Sequence, residues 1–205
     1  MASSTYSYSV ADGHGLPHDP LPAILGPRPI GWISTINQEG RTNLAPYSFF
    51  NIVNYRPPIL IFSSVGKKDS VRNAQETGHF VYNLATRPLA ESVNGSSTEI
   101  AGVEEFEATG LTPVPSTQVT SPRVAESPVS LECKVISVQQ LSGLDGTPLN
   151  TWMVIGQVVA VHINSALLMD GIYDTASARP ILRGGGPADY FEVLPSGLFQ
   201  MTRPE

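Results

Sequence analysis

Cysteine is nearly absent from the sequence. Cys133 is the single cysteine among 205 residues, which excludes an intrachain disulfide and a structural zinc site with the usual four ligands rich in Cys and His. It lies among apolar neighbours in a strand-like run, where we expect a buried and inert thiol. The sequence therefore predicts no metal site.

Long apolar runs are also missing. No window approaches the roughly 20 apolar residues that a membrane-spanning helix requires. The first residues, Met1 to Gly15, carry neither a basic leader nor an apolar stretch. We therefore expect a cytoplasmic protein without a membrane partner.

Charged residues are scarce as well. They make up 15% of the chain, and 12 Lys and Arg against 18 Asp and Glu give a formal net charge of −6. Binding to nucleic acid by counterion release needs clustered Lys and Arg, so we expect no nucleic-acid partner. Against this background any local basic cluster is informative.

Strand patterns dominate what is present. Runs rich in β-branched and aromatic residues start near positions 30, 41, 59, 79, 128 and 150, and turn residues separate them. Helical patterns are short: residues 68–77, with Asp69 or Ser70 as N-cap and Gly78 as the stop, and residues 88–97. Because no β-α-β-α alternation is visible, the sequence predicts a mainly β protein, an antiparallel barrel with a few short helices.

Two segments depart from this pattern. Residues 1–27 show no sustained period, so we predict an N-terminal arm followed by one domain at residues 28–205. Residues 99–128 form a long acidic excursion, which we interpret as a lid or a dimer arm. Pro46 interrupts a strand run and predicts an edge strand or a bulge near a site.

A phosphate-binding pattern lies between Ser63 and Ser70. An apolar strand ends there in hydroxyls, a glycine, Lys67, Lys68 and the start of a helix. Hydroxyls and backbone N–H groups donate to phosphate oxygens, while lysines and the helix N-terminus supply positive charge. A capped loop with solvated lysines is the alternative. The upstream glycine of a Walker motif is missing, so ATP hydrolysis is not predicted.

A second cluster joins residues 31–35 with residues 43–51. It mixes small, polar and aromatic side chains within strand-like runs. Core packing accounts for Phe49 and Phe50, whereas Tyr47, Ser48 and Asn51 carry polar tips that a pure core does not favour. Both a core and a ligand site remain open at this point.

Five motifs in order carry a family resemblance. They are RPIGWIST, NLAPYSFFN, SSVGKKDSVRNAQETGHFVYNLA, GQVVAVHIN and RPILRGGGPADYFEV, and they span about Arg28 to Pro204. This series resembles the flavin reductase-like family with the FMN-binding split-barrel fold. The resemblance implies a homodimer of six-stranded Greek-key barrels that hold FMN noncovalently near the subunit interface.

The resemblance also implies an activity. It indicates an NAD(P)H-dependent flavin oxidoreductase that transfers hydride to flavin and either keeps the reduced flavin or supplies it to a partner flavin-dependent monooxygenase. The redox chemistry belongs to the flavin, so the lack of a catalytic triad or an HExxH motif does not count against an enzyme. The alternative is a flavoredoxin-like, FMN-binding electron-transfer protein without nicotinamide oxidation. A pyridoxamine-phosphate-type oxidase is disfavoured by the order of the motifs.

Site residues follow from the resemblance position by position. It puts the FMN phosphate beside Ser63, Ser64, Lys67, Lys68 and Ser70. It puts the flavin ring beside residues of the two strand clusters: Ile33, Ser34, Thr35, Ala45, Pro46, Tyr47, Ser48, Phe49, Phe50 and Asn51.

His162 and Arg183 each have two possible roles. The resemblance puts His162 where family members often have a histidine near the flavin or the nicotinamide, and there it would position the nicotinamide. The alternative is a structural histidine. Arg183 reaches the flavin edge or a nicotinamide phosphate, or it forms a structural ion pair. The choice between NADH and NADPH, the flavin that is reduced, and the identity of any monooxygenase partner stay open.

Overall fold

A computed structural model describes residues 4–98, 100 and 103–204. Its α-helices are α1 (Leu21–Ile24), α2 (Asp69–Thr77), α3 (Ala90–Gly95) and α4 (Glu105–Thr109). Short 3-10 turns lie at Val10–Asp12, Arg87–Leu89, Ser165–Leu167 and Pro195–Gly197. The strands are β1 (Arg28–Pro29), β2 (Gly31–Ile36), β3 (Thr42–Tyr47), β4 (Phe50–Tyr55), β5 (Pro58–Val65), β6 (His79–Leu84), β7 (Pro113–Val114), β8 (Arg123–Val124), β9 (Val129–Ser142), β10 (Pro148–Ile163), β11 (Leu168–Met169), β12 (Ile172–Tyr173), β13 (Ile181–Arg183) and β14 (Tyr190–Glu192).

Seven of these strands form one antiparallel sheet in the order β3-β2-β6-β9-β10-β5-β4. Its two edge strands, β3 and β4, follow each other in the chain and are joined only by Ser48 and Phe49. The N–H of Ser63 on β5 donates to the carbonyl of Phe49 at 2.8 Å. Strands β3 and β4 thus act as one bent strand that pairs first with β2 and then with β5. The antiparallel sheet and the short helices confirm the predicted fold class, a mainly β barrel with a few short helices.

The break in the bent strand lies two residues beyond the predicted position, Pro46. Pro46 remains within β3, where its missing N–H is tolerated because β3 is an edge strand. The chain instead leaves the strand at Ser48 and Phe49. The edge position of Pro46 therefore agrees with the prediction, whereas the interruption does not fall on it.

The curled sheet encloses one core. Its largest fully buried side chains are Phe62 and Phe80, both 0% exposed, whose rings meet edge to face at 5.3 Å. Glycine is needed where rings press on the backbone, because a Cβ on Gly31 would lie 2.5 Å from Cδ2 of Phe50. Helix α2 covers one end of this core with Val71 and Ala74.

A second core lies on the other face of β2. Successive residues of a strand point to opposite faces, so Ile33 joins the first core and Trp32 the second. The second core also contains Val93 of α3 and Phe106 of α4. Strand β2 is therefore buried on both faces, and the helices after β6 pack against the outside of the barrel.

The predicted cap of α2 is wrong. Lys68 is the N-cap residue, and its side chain makes no capping hydrogen bond. Asp69 forms an ion pair with Arg72, and Ser70 accepts a hydrogen bond from Asn43. The predicted stop is confirmed, because Gly78 has a left-handed φ of 77°.

The acidic excursion packs on the barrel over most of its described length. It contains α4, β7 and β8, and residues 117–119 donate to the buried carboxylate of Glu132. Glu99, Ala101 and Gly102, near its start, lie outside the described residues. Its role as a lid or a dimer arm stays a prediction.

The N-terminal arm contacts the rest of the chain through α1. Ala23 of α1 sits against Gly185, where any side chain would collide with it. Arg28 donates to the carbonyls of Pro22 and Ser48. Among the described helices, none is long and apolar enough to cross a membrane.

Candidate functional site

A cavity of about 610 Å³ opens between the edge strand β3, the start of α2 and the segment that joins α3 to α4. Three parts of the chain that are distant in sequence supply its wall. Its lining residues are Asn43, Ala45, Pro46, Tyr47, Lys68, Asp69, Ser70, Arg72, Ser96, Ser97, Thr98, Ile100, Val103 and Glu105.

The first turn of α2 faces this cavity. Lys68 is the N-cap, and Lys68, Asp69 and Ser70 all line the wall. The carbonyl of Lys68 accepts from the N–H groups of Val71 and Arg72, at 3.1 and 3.0 Å. No side chain caps the start of the helix, so the positive end of its dipole and its leading N–H groups are available to an anion.

The hydroxyl groups of Tyr47, Ser70 and Ser64 lie close together beside the start of α2. Burial raises the pKa of the Tyr47 phenol, while the hydroxyls of Ser70 and Ser64 and the charge of Lys68 oppose that rise. Ser64 is 2% exposed, and its Oγ lies near the phenol but outside hydrogen-bond geometry. Among the described residues it is the one buried side-chain oxygen without a partner, and buried polar atoms rarely lack one.

Both signs of charge line the cavity. Lys68 and Arg72 contribute positive charge, and Arg72 forms an ion pair with Asp69. Glu105 lies across from them, and its Oε2 accepts from the N–H of Leu44 at 3.3 Å. Burial raises the pKa of Glu105 above its ordinary value.

The site residues expected from the resemblance fall into three groups. Five of them line the large cavity: Ala45, Pro46, Tyr47, Lys68 and Ser70. Five others line a smaller cavity of about 400 Å³ that Arg28 also borders: Ser48, Phe49, Phe50, Asn51 and Ser63. The remaining five lie outside the lining of both cavities: Ile33, Ser34, Thr35, Ser64 and Lys67.

The third group has specific surroundings. Ile33 belongs to the barrel core. Ser34 and Thr35 are 0% exposed and accept hydrogen bonds from Asn83 and Asn73. The Nζ of Lys67 lies 4.8 Å from the ring centroid of Trp152.

His162 lies far from the large cavity along the sheet. Direct strand partners connect it to the cavity wall in the order His162, Ser130, Asn83, Trp32, Pro46. Four steps at about 4.8 Å per strand correspond to about 19 Å. Its Nε2 lies 2.6 Å from Oε1 of the buried Glu132, the contact expected of a structural histidine.

Arg183 supports a turn. Its guanidinium donates to the carbonyls of Asp189, Gly186 and Pro187 at 2.8 to 3.1 Å. It also lies 5.1 Å from the ring centroid of Tyr190. These contacts hold the loop between β13 and β14 and take the place of the expected ion pair.

Several cavity residues were missed by sequence reasoning. Asn43 and Arg72 belong to motifs that were singled out, but only the tertiary contacts bring them to the wall. Glu105 lies in the acidic excursion, where no local pattern marks it. Within the described residues, no group of three or more His, Cys, Asp or Glu is placed to hold a metal ion.

Comparison with known proteins assigns the chain to a family. The flavin reductase like domain matches residues 26–181. An uncharacterised protein of Halalkalibacterium halodurans is 41% identical over 167 residues, which cover 78% of this chain and 79% of that protein.

Solved structures agree with this assignment. Nitrilotriacetate monooxygenase component B from Bacillus cereus is 28% identical, with a TM-score of 0.80 over 100% of this chain and 98% of that one. The 2-nitrobenzoate 2-nitroreductase NbaA from Pseudomonas fluorescens is 29% identical, with a TM-score of 0.78 over 90% of this chain and 88% of that one. The order of the motifs, the split barrel and these matches together show that the chain belongs to the flavin reductase-like family.

Proposed function

We propose that the protein holds FMN noncovalently in the large cavity and transfers hydride from NAD(P)H to flavin. The observation that carries this proposal is the uncapped start of α2, which lines a cavity of about 610 Å³ together with Lys68 and Ser70. Its family supports a flavin ligand. The same cavity lies beside an edge strand, which suits a flat polar ring.

The phosphate end of FMN fits the residues at α2. A phosphate accepts hydrogen bonds from N–H and O–H donors and is stabilised by a helix N-terminus. Lys68 and Ser70 would hold it there. The hydroxyl of Ser64 lies outside the lining but near the Tyr47 phenol, and it has no hydrogen-bond partner. This donor set suits a doubly charged group better than a neutral ring.

The ring end fits β3. An edge strand leaves part of its backbone N–H and C=O groups without a strand partner. Ala45 and Tyr47 could offer such groups to the carbonyl and N–H edge of the flavin ring, and Pro46 adds an apolar surface between them. Tyr47 is itself held by the ring of Phe62, with centroids 4.9 Å apart.

Chemistry in this site would come from the flavin, which accepts the hydride when bound. The chain's own residues bind and orient it and exclude water from one face. No side chain is required as a general acid or base. Reduced flavin would then stay bound or pass to a partner monooxygenase, a proposal supported by the similarity to nitrilotriacetate monooxygenase component B.

A titration with FMN and riboflavin tests the phosphate site. Wild type should bind FMN more tightly, and Lys68→Ala should weaken FMN roughly tenfold, the effect of one charge-assisted hydrogen bond. Lys67→Ala is the matched control, because Lys67 lies over Trp152 and outside the cavity lining. Equal wild-type affinity for FMN and riboflavin would refute the assignment.

Steady-state oxidation of NADH and NADPH with added FMN tests the reaction. Consumption of either nucleotide supports the reductase. Tight FMN binding without oxidation of either nucleotide would instead assign the protein to the flavoredoxin-like electron carriers.

We further propose a homodimer. Neighbouring strands β4, β5 and β10 present apolar side chains to solvent, and folded monomers rarely leave large apolar patches uncovered. The smaller cavity, with its five expected site residues, borders β4 and β5. The exposed apolar residues of these strands are Ile52, Val53, Tyr55, Val65, Val159, Val161 and Ile163.

Light scattering tests the dimer. The chain mass is 21.9 kDa, and wild type should scatter with about twice that mass. Val53→Lys should shift the mass towards the monomer, because an unpaired charge in an apolar interface is costly. A wild-type monomer at micromolar concentration with FMN bound would contradict the proposal.

A further inference from the structure

Four buried polar side chains tie α2 to the barrel beside the large cavity. They lie on three elements: Thr35 on β2, Asn43 on β3, and Ser70 and Asn73 on α2. All are at least nine-tenths buried, with exposures of 0, 8, 1 and 6%. A buried polar group is expensive unless it is bonded, so the partner of each donor and acceptor in this cluster decides what the cluster can do.

In this cluster the asparagine amides donate hydrogen bonds and the hydroxyl oxygens accept them. Nδ2 of Asn43 donates to Oγ of Ser70 at 2.8 Å and to Oγ1 of Thr35 at 3.4 Å. Nδ2 of Asn73 donates to the same Oγ1 of Thr35 at 3.1 Å. The oxygen of Ser70 is thus an acceptor towards Asn43. The hydrogen of the Ser70 hydroxyl is left for a partner elsewhere.

That partner lies on the cavity side. Ser70 lines the cavity in the first turn of α2. Its hydroxyl also opposes the rise in the pKa of Tyr47, as a donor to the phenolic oxygen does. A hydroxyl has one hydrogen, and an acceptor in the cavity would compete for it.

We propose that Asn43 is a positioning residue that makes Ser70 a hydrogen-bond donor to the phosphate of the bound flavin. This inference rests on the proposed FMN site. Asn43 occupies the acceptor side of the Ser70 hydroxyl, so its hydrogen is directed to the cavity side, where a bound phosphate would compete for it with the Tyr47 phenol. The second bond, to Thr35, fixes the amide in the orientation that this requires.

Exchanging the amide for a carboxylate of the same shape tests the proposal. A carboxylate only accepts hydrogen bonds, so Asn43→Asp should turn the Ser70 hydrogen away from the cavity and weaken FMN binding roughly tenfold or more. Riboflavin, which lacks the phosphate, should bind within about threefold of wild type. Asn73→Asp is the matched control, because Asn73 donates to Thr35 and has no bond to Ser70.

The pH dependence separates the loss of the hydrogen-bond donor at residue 43 from a change in the shape of its side chain. Below the pKa of the introduced carboxyl, its O–H can donate again. The ratio of FMN to riboflavin affinity in Asn43→Asp should therefore recover as the pH falls from 8 towards 5. A ratio that stays low over this range would overturn the proposed role of the donor.

A double-mutant cycle gives a second test without an added charge. Ser70→Ala should lower the FMN to riboflavin ratio, and Asn43→Ala should lower it no further in the Ser70→Ala background. An additional loss in that background would mean that Asn43 touches the ligand itself, and the positioning role would be wrong. Equal weakening of FMN and riboflavin by Asn43→Ala would likewise overturn it.

The outcomes for the two proposals are distinct. If wild type prefers FMN and Asn43→Asp keeps that preference, the phosphate site stands and the role of Asn43 falls. If wild type binds riboflavin as tightly as FMN, the phosphate site is refuted together with the inference that rests on it.

Discussion

Replacing Glu132 with glutamine should destabilise the protein by about 3 kcal/mol at neutral pH. The Glu132 side chain is 0% exposed. Its oxygens accept from the backbone N–H groups of Thr117, Gln118 and Val119 at 2.7, 2.6 and 3.2 Å. The Thr117 hydroxyl and Nε2 of His162 complete the set at 2.9 and 2.6 Å. One carboxylate therefore fastens the loop between β7 and β8 to the barrel wall.

The pKa of Glu132 supports this magnitude. Burial raises the pKa, but the hydrogen bonds from Thr117, His162 and Gln118 outweigh it and lower the pKa from 4.5 to about 2. At 1.36 kcal/mol per pH unit, that difference corresponds to about 3 kcal/mol. Because the folded-state pKa is the lower one, the stabilisation is complete above the unfolded pKa and is lost as the pH falls from about 5 towards 2.

Urea unfolding of wild type and Glu132→Gln at pH 7 and at pH 3.5 measures both effects. The difference in unfolding free energy should be largest at pH 7 and shrink at pH 3.5, because the wild-type carboxylate is losing its advantage there. Glu126→Gln is the control, since the exposed Glu126 carboxylate also accepts from a backbone N–H. A Glu132→Gln variant within about 0.5 kcal/mol of wild type at pH 7 would refute the reasoning, as the expected loss is several times larger.

Three further variants test separate parts of the structure. Gly31→Ala should lower the unfolding free energy by about 1–3 kcal/mol, because its Cβ would meet the Phe50 ring; an unchanged melting temperature would contradict that contact. Gly78→Ala should cost about 1 kcal/mol through its left-handed φ, measured in the same way. His162→Ala should keep FMN bound and leave kcat/KM for NAD(P)H nearly unchanged, because Nε2 of His162 contacts Glu132 and four strand steps separate it from the wall of the large cavity. A loss of about tenfold with FMN retained would contradict this and would support a role for His162 in positioning the nicotinamide.

The fold class could be predicted from the sequence, because it depends on local patterns, and the proposed phosphate site depends on equally local ones. Strand runs and turn residues act over a few positions, and their order without β-α-β-α alternation excludes a doubly wound sheet. The stop of α2 at Gly78 is equally local, since it depends on one backbone angle. Lys68 and Ser70 follow a strand directly and reach the same helix start within a few residues.

The division of the expected ring residues needed the tertiary structure. Tyr47 and Ser48 are neighbours in the sequence, yet they line different cavities because side chains alternate across a strand and the chain leaves β3 between them. No one-dimensional pattern says which face of an edge strand opens on a cavity. The distance of His162 from the large cavity depends in the same way on strand order, not on spacing in the sequence.

The start of α2 shows the same limit on a smaller scale. Locally, Asp69 or Ser70 is a good N-cap. In the folded chain Asp69 turns to Arg72, and Ser70 is bonded by Asn43, 27 residues earlier. The sequence by itself thus determined the mainly β barrel and the end of α2, whereas the phosphate site that it predicts remains a proposal. Only the packing of β3, α2 and the segment before α4 decided which polar groups line the proposed site. A hydrogen bond between distant residues, such as that of Asn43 to Ser70, occupies a donor or acceptor that local chemistry would otherwise use.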